Sequence, residues 1–266
     1  MTKVSKILGT IEKYAPSHLC FDGDNVGLLV GSLKQEVSRI LLTLDVDEYV
    51  VKEAIEKNAN LIISHHPVMF RPISTLTDDC PQQRCIRLMI ENSISLISAH
   101  TNLDSVNGGL NDYLCKKLSI TNTEVIDVTG EYEGCLSGFG RVGEFEKEIT
   151  LKDTLSLCSE RLNCKGLRYV GNTDTVIKRV AVNSGSGADV IPYCIKHKVD
   201  ALITGDVKYN QARDAYESGL CIIDAGHYET ERIVTELFEE ILKKEFGDIT
   251  IGISNANTPV FKYYNK

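Results

Sequence analysis

Apolar residues in the first half of the chain alternate between short continuous runs and helix-spaced stretches. Residues 39–45 and 61–63 are apolar runs typical of buried strands, and residues 47–58 between them carry apolar positions at helical spacing. This order predicts a strand–helix–strand unit. A helix at 84–92 and a third strand at 94–98 follow the same alternation. The pattern therefore predicts an α/β architecture.

The second half repeats this plan. It contains predicted strands at 179–182 and 201–203, a helix between them at 190–197, and a final strand at 221–226. An offset of 140 residues places Ile63 on Ile203. The shared order and spacing predict an internal duplication. Two similar α/β halves make the cleft between them the expected ligand site.

We therefore predict two similar α/β domains, residues 1–127 and 128–266, with approximate boundaries and a C-terminal segment able to pack back on the first domain. In the glycine-rich link, Gly138–Gly143 matches the dinucleotide pattern G-x-G-x-x-G. That motif must open a helix, whereas strand-like alternation follows here. The segment is predicted to be a hairpin or domain link, with a helix at 153–162 after it.

Composition narrows the function classes. The chain has 266 residues, is 42% apolar and carries a net charge of −8, which argues against a nucleic-acid backbone binder. It has no apolar run of the ~20 residues that a membrane helix needs, and we expect no targeting segment and no membrane partner. Nine cysteines without a Cys-x-x-Cys pair indicate reduced thiols and a cytoplasmic protein.

The adjacent histidines His65 and His66 stand where a predicted strand ends. Neutral imidazole is the commonest side-chain metal ligand, and a strand end lets such rings reach a cleft from a rigid base. The alternative is a histidine that only hydrogen-bonds a backbone carbonyl. The two histidines are candidate metal ligands, and a metal site needs further ligand side chains close to them.

Three further candidates follow the last strand of each half. Asp104 lies beyond the strand at 94–98, and His227 and Glu231 lie four apart at the start of an amphipathic helix predicted at 229–244. The alternatives are a turn aspartate, a surface histidine and a glutamate that favours the helix N-terminus. Taken together, five potential ligands lie at strand ends on one edge, which favours metal binding over the separate alternatives.

Five ligands exceed what one catalytic zinc needs, and a carboxylate can bridge two ions. We predict two divalent ions, with zinc, iron, manganese and nickel all compatible with this ligand set. The predicted nucleophile is a hydroxide formed from water on the ions, so no side chain is assigned as catalytic. His100 is expected to orient a ligand or water.

Other segments carry weaker candidates. Asp206 and Lys208 stand where the histidine pair stands in the first half and are candidate substrate contacts, with a helix N-cap as the alternative for Asp206. The loop 183–187 could hold an anion or form a plain tight turn. Asp24–Gly27 is a turn to which the residues alone assign no role.

Five motifs together resemble the NIF-three-like family, whose members are often called GTP cyclohydrolase I type 2 homologues. They span nearly the whole chain in the family's order: Asp24-Asn25-Val26-Gly27-Leu28, Ser64-His65-His66-Pro67, Ala99-His100-Thr101-Asn102-Leu103-Asp104, Thr204-Gly205-Asp206-Val207-Lys208-Tyr209 and Gly226-His227-Tyr228-Glu229-Thr230-Glu231.

The resemblance implies two similar α/β domains, a di-metal site in the cleft between them and a toroidal homo-hexamer. By position it implies a set of five metal ligands, with a carboxylate bridging: His65, His66, Asp104, His227 and Glu231. Two positions depart from many relatives. Phe21-Asp22-Gly23 fills a region that often holds Trp, and Asn210 stands where a His is common.

The leading hypothesis is a metal-dependent hydrolase of a small nucleotide-like or phosphorylated substrate, with hydrolysis of the GTP ring as one version. The alternative is a non-catalytic metal-binding regulator or scaffold that forms a ring-shaped oligomer. The negative charge makes a nucleic-acid partner unlikely in either case.

Overall fold

The computed structural model describes residues 2–264. It has a mixed α/β fold whose contacts divide the chain into two compact units. The first unit runs to Leu103 and includes Val234–Thr258, and the second runs from Asp104 to Ile233 and includes the residues from Pro259 onward. The domain boundary near residue 127 and the internal duplication stay predictions.

The first unit is built on a five-stranded sheet of order β1-β4-β3-β2-β11. Strands β2, β3, β4 and β11 are parallel, and β1 pairs antiparallel with β4. The strands are β1 Gly27–Val30, β2 Arg39–Thr43, β3 Leu61–Ser64, β4 Ser95–Ser98 and β11 Thr250–Ile253. The helices are α1 Val4–Tyr14, α2 Glu48–Glu56, α3 Pro81–Glu91 and α10 Val234–Glu245.

The second unit is built on a six-stranded sheet of order β5-β6-β8-β9-β10-β7. Strands β8, β9 and β10 are parallel. The antiparallel pairs are β5 with β6, β6 with β8, and β7 with β10. The strands are β5 Ile120–Tyr132, β6 Cys135–Thr150, β7 Arg168–Val170, β8 Val176–Val182, β9 Ala201–Thr204 and β10 Cys221–Asp224. The helices are α5 Leu110–Lys117, α6 Leu151–Arg161, α7 Ile191–Lys196, α8 Tyr209–Glu217 and α9 His227–Glu231, and the short α4, Thr101–Ser105, contains the boundary between the units.

Short strands with apolar centres form the buried middle of each sheet. Every residue of β3, β4, β9 and β10 is buried, as expected for parallel strands covered on both faces. The register aligns Thr43, Ser64 and Ser98 at one edge of the first sheet, and Thr204 with Asp224 at the corresponding edge of the second. Within each sheet, the residues that follow these positions therefore lie close together at its carboxyl edge.

Two expectations need correction, and a third is confirmed. The strand at 221–226 is not the last, because β11 follows and pairs with β2. The helix predicted at 229–244 is two helices, α9 and α10. Gly138–Gly143 lies inside β6 and does not open a helix, which confirms the hairpin and excludes a dinucleotide loop.

All nine cysteines are free thiols. No helix within residues 2–264 is both long and apolar enough to cross a membrane.

Candidate metal-binding groups

A group of three histidines lies at the carboxyl edge of the first sheet. His65 and His66 follow β3, and His100 follows β4 with Ala99 between. The ring centroids are 5.1–5.4 Å apart, and the three possible ligand nitrogens lie within 4.8 Å of one another. His65 is fully buried, while the other two rings are partly exposed. The parallel register of β3 and β4 produces this convergence.

Each ring in this group is held through its Nδ1 atom by an oxygen. The Nδ1 of His65 lies 2.8 Å from the carbonyl of Ala99, and the Nδ1 of His66 lies 2.7 Å from Oδ1 of Asp45. The Nδ1 of His100 lies 2.9 Å from Oδ1 of Asp24. A carbonyl or a carboxylate only accepts, so each Nδ1 carries the proton. In the neutral rings the lone pair is then on Nε2, the arrangement of metal-binding histidines with an orienting oxygen.

Asp24 is the most strongly engaged of these orienting groups. Its side chain is 1% exposed, and it accepts hydrogen bonds from His100, from the hydroxyl of Thr101 and from the backbone N–H groups of Thr101 and Asn25. Desolvation alone would raise the pKa of this carboxyl. The hydrogen bonds from His100 and Thr101 outweigh it and hold the pKa well below the usual range. Asp24 is therefore ionised and holds His100 in one tautomer.

The second unit carries a separate His–carboxylate group. His227 and Glu231 begin and end α9, so one helical turn brings Nε2 of His227 within 2.9 Å of Oε2 of Glu231. The Nδ1 of His227 lies 2.7 Å from Oδ2 of Asp206, in the loop after β9. Glu231 is buried. With Nδ1 committed to Asp206, the other ring nitrogen faces a buried carboxylate, a position suited to a proton or a metal ion.

Asp104, also in the second unit, is anchored from both its main chain and its side chain. It is 8% exposed. Its carbonyl accepts from the amide of Asn111 at 3.1 Å, and its Oδ1 accepts from the hydroxyl of Ser184 at 3.4 Å. Asn111 in turn accepts from the N–H of Ser184. This network fixes the carboxylate of Asp104 beside the loop after β8.

The loop 183–187 is held as a tight turn by bonds from its backbone N–H groups. Its backbone N–H groups at Ser184, Gly185 and Gly187 donate to Asn111, Thr230 and Thr204 respectively. An anion would have to compete with each of these bonds. These bonds favour the plain tight turn over the phosphate role, which stays a prediction.

Three candidates from the sequence remain: Asp206 and Lys208, which follow β9, and His100, which follows β4. Asp206 hydrogen-bonds His227, whereas Lys208 is the exposed residue before α8 and occupies its N-cap position. Capping of α8 by Asp206 is therefore wrong. The roles of Asp206 and Lys208 as substrate contacts stay predictions. His100 is a third member of the histidine group, so its role as an orienting neighbour also stays a prediction.

Sequence reasoning missed two orienting carboxylates, Asp24 and Asp45. Asp45 follows β2 by one residue, so its position beyond a strand end was an available signal. Asp24 lies 76 residues before its partner His100 in an irregular segment, and periodicity alone could not link the two.

The sequence of this chain matches a known protein family over nearly its whole length. Residues 2–259 match the family described as Duf34/NIF3 (NGG1p interacting factor 3). The chain belongs to the Duf34/NIF3 family. A relative from Clostridium perfringens named "GTP cyclohydrolase 1 type 2 homolog" is 39% identical over 265 residues, which cover 98% of this chain and 99% of the relative.

Solved structures agree with this Duf34/NIF3 assignment. A Bacillus cereus protein related to NIF3 superposes with a TM-score of 0.91 at 26% identity and covers 99% of this chain and 100% of that chain. The Staphylococcus aureus protein SA1388 gives a TM-score of 0.91 at 29% identity, with 99% of both chains covered. The family resemblance inferred from the motifs is confirmed.

Proposed function

We propose that this protein is a cytoplasmic, metal-dependent hydrolase of a small nucleotide-like or phosphorylated substrate, with two divalent ions as cofactors. The observation that supports this most directly is the shared arrangement of His65, His66, His100 and His227. In each, Nδ1 is hydrogen-bonded to an oxygen acceptor, so the neutral ring offers Nε2 as a lone-pair donor. Bound divalent ions would supply Lewis-acid polarisation of the attacked bond and a lowered pKa for water.

The donor set fits a divalent transition metal. It contains imidazole nitrogens and carboxylates without thiolates, which suits zinc, iron, manganese or nickel. We propose His65, His66, Asp104, His227 and Glu231 as the ligands of one di-metal centre, and the order of the family motifs supports this set. Asp45, Asp24 and Asp206 hold ring protons and orient the imidazoles.

The name of the Clostridium perfringens relative makes GTP the first substrate to test. Purified protein with its native metal is screened against nucleotides and phosphoesters, with product formation followed by chromatography. A His65→Ala, Glu231→Ala double variant should lose turnover. His197→Ala, which removes an exposed histidine at the end of α7, is the matched control and should retain it. Turnover that does not depend on metal, or that survives in the double variant, contradicts the proposal.

Metal stoichiometry tests the shared centre. We expect two ions per chain in the wild type and a lower metal content in each of the single variants His65→Ala, Asp104→Ala and Glu231→Ala. A metal content equal to that of the wild type in any of these variants would contradict its assignment as a ligand. Metal binding without turnover of any nucleotide or phosphoester would support the non-catalytic regulator or scaffold instead.

We further propose a toroidal homo-hexamer. Exposed apolar side chains near the C-terminus support burial against another copy: Val260 is 88% exposed, Phe261 80% and Tyr264 87%. Light scattering coupled to size exclusion should give six times the mass of the 29.5-kDa chain. A Phe261→Ser variant should shift the particle to smaller assemblies. A monomeric wild type contradicts the proposal.

A further inference from the structure

The turn that follows β11 lies against the chain that follows β2. The two strands are parallel, and their register pairs Ile253 with Leu42, so both chains leave the sheet at the same carboxyl edge. The N–H of Ser254 donates to the carbonyl of Leu42 at 2.8 Å and continues this pairing by one residue. Residues 254–257, which we call the β11 turn, therefore start beside the short segment that leads from β2 to Asp45.

Glu53 of α2 holds the β11 turn in place. Its carboxylate accepts hydrogen bonds from the hydroxyl of Ser254 and, at 3.0–3.1 Å, from the N–H groups of Asn255 and Ala256. The side chain of Glu53 is 11% exposed, and Ala256 packs against the apolar core of the first unit. Hydrogen bonds to an ionised carboxylate are roughly twice as strong as those between neutral groups. The backbone of the turn is therefore well fixed.

The fixed turn brings the side-chain amide of Asn257 to Asp45. Nδ2 of Asn257 donates to Oδ2 of Asp45 at 3.2 Å, while Oδ1 of the same carboxylate lies 2.7 Å from Nδ1 of His66. A carboxylate only accepts, so the nitrogen of the amide faces it and not the oxygen. The hydroxyl of Thr43 also donates to the carbonyl of Asp45 at 2.7 Å. The main chain and both carboxylate oxygens of Asp45 are thus bonded.

The bond from Asn257 matters because Asp45 is close to solvent. Its side chain is 47% exposed, whereas that of His66 is 24% exposed. An exposed side chain can occupy several rotamers, and holding it in one of them costs conformational entropy. A second hydrogen bond from a fixed turn restricts Asp45 to the rotamer that faces the ring. Ligand side chains that are held in this way are organised before a metal ion arrives.

We propose that Asn257 is a positioning residue for the metal site: held by the turn that Glu53 binds, it fixes Asp45 so that His66 keeps its proton on Nδ1 and presents Nε2 to a metal ion. Asn257 acts through Asp45, from which it is separated by 212 residues along the chain. Only the identity of His66 as a ligand rests on the proposed function, because the hydrogen bonds from Glu53 to the ring need no metal.

The first test therefore uses metal-free protein. Solid-state ¹⁵N NMR of the histidine-labelled, EDTA-treated chain at about pH 8, where a free imidazole is neutral, shows which ring nitrogen carries the proton. The signals of His66 are identified by their loss in His66→Gln. The wild type should contain the Nδ1–H form of His66, and Asn257→Asp should produce the Nε2–H form, because two adjacent carboxylates repel and Asp45 leaves the ring.

Asn255→Asp is the matched control for this measurement. It adds the same charge at an exposed position of the same turn and should leave the Nδ1–H form of His66 unchanged. A ring that keeps its Nδ1 proton in Asn257→Asp, or that changes equally in Asn255→Asp, overturns the proposal.

Zn²⁺ titration with a fluorescent chelator measures the consequence for metal binding. Asn257→Asp and Asp45→Asn should each weaken Zn²⁺ binding about tenfold, the lower end of the losses for outer partners of a metal site. In the double variant, the amide at position 45 can donate to the carboxylate at position 257 and still accept from His66. The two losses should therefore not multiply, and the double variant should bind about tenfold and not about a hundredfold more weakly than the wild type. Losses that multiply would overturn the coupling through Asp45.

Glu53→Gln tests the turn itself. It should weaken Zn²⁺ binding in the wild type but cause no further loss in Asn257→Ala, because the turn acts on the site through Asn257 alone. Glu56→Gln, at an exposed position of the same helix, should leave Zn²⁺ binding unchanged in both backgrounds. An equal loss from Glu53→Gln in both backgrounds overturns the proposal.

The proposed metal centre and the role of Asn257 fail separately. A change of the His66 tautomer in Asn257→Asp, in a protein that binds no metal, supports the positioning of the ring by Asn257 and contradicts the metal centre. Zn²⁺ binding that Asn257→Asp leaves unchanged contradicts the role of Asn257 alone.

Discussion

Nε2 of His227 lies 2.9 Å from Oε2 of Glu231, one helical turn away along α9. The opposite nitrogen of the ring is already bound to Asp206. A buried carboxylate this close to a ring nitrogen is balanced by a proton on that nitrogen or by a metal ion between the two. This pair therefore predicts that a bound ion stabilises the fold of the second unit.

Removal of metal should lower the melting temperature. An ion at 100 times its dissociation constant stabilises the folded state by about 2.7 kcal/mol, which corresponds to a decrease of about 5 °C or more on EDTA treatment for a chain of this size. Scanning fluorimetry should show this decrease in the wild type but a much smaller one in Glu231→Gln. Glu240→Gln, at an exposed position of α10, is the control and should behave as the wild type. An equal EDTA effect in Glu231→Gln would show that Glu231 is not a ligand.

Asp24→Asn tests the orienting hydrogen bonds of His100. Asparagine keeps the shape but removes the negative charge beside the ring of His100, which we expect to orient a ligand or water. Loss of such an outer partner of a metal site typically costs ~10–100-fold in metal affinity. Metal titration with a fluorescent chelator should show a decrease of this size. Asp22→Asn, at an exposed position two residues earlier, should retain wild-type affinity. Unchanged affinity in Asp24→Asn would mean that the pair of Asp24 and His100 does not support the metal site.

Glu53 makes stability depend on pH in the acid range. Its carboxylate on α2 accepts from Ser254 and from the N–H groups of Asn255 and Ala256, and it pairs with Lys57. Burial opposes ionisation, but these hydrogen bonds lower the pKa to about 2. A pKa depressed in the folded state contributes stability above the unfolded value, and this contribution is lost as pH falls towards the folded one.

The wild type should therefore lose about 1 kcal/mol more than Glu53→Gln between pH 5 and pH 3.5. Urea denaturation at several pH values gives the two free energies of unfolding. Glu56→Gln removes an exposed carboxylate from the same helix and should follow the wild type. Parallel pH profiles for the wild type and Glu53→Gln would refute the role of this carboxylate.

Sequence patterns predicted the sheet centres because continuous apolar runs, such as those that begin β3 and β9, are typical of strands buried on both faces. The same logic placed His65, His66 and His227 at strand ends. It missed β11 and the split between α9 and α10, because β11 is a short, half-exposed strand with weak periodicity and residues 229–244 keep one apolar face across the break. The partners Asp24 and Asp45 were missed because long-range hydrogen bonds leave no local pattern.

The buried side chain of Arg141 stabilises the fold of the glycine-rich segment 138–143. It is 1% exposed inside β6 and donates to the carbonyls of Gly138, Gly140 and Val106 and to the carboxylate of Asp112. Removal of a buried, fully bonded charge leaves these acceptors unsatisfied, so Arg141→Leu should cost about 3–5 kcal/mol of unfolding free energy. Urea denaturation should show this loss, whereas Arg161→Leu, at an exposed position of α6, should cost little. A loss of less than about 1 kcal/mol of unfolding free energy in Arg141→Leu would contradict a stabilising role for this side chain.

Gly185 determines whether Glu231 can hold its position. Its φ is +62°, and a Cβ there would lie 2.1 Å from Oε1 of Glu231 and 3.2 Å from Nε2 of His227. Gly185→Ala should therefore displace the carboxylate and strain the backbone, with a stability cost of about 1–3 kcal/mol. We expect the variant to remain folded by circular dichroism but to bind less metal than the wild type by elemental analysis. Gly219→Ala also replaces a glycine of positive φ, but no atom lies within 4 Å of its added Cβ. It therefore controls for backbone strain alone. If both variants lose the same stability and neither loses metal, the close approach at Gly185 does not serve the candidate ligands.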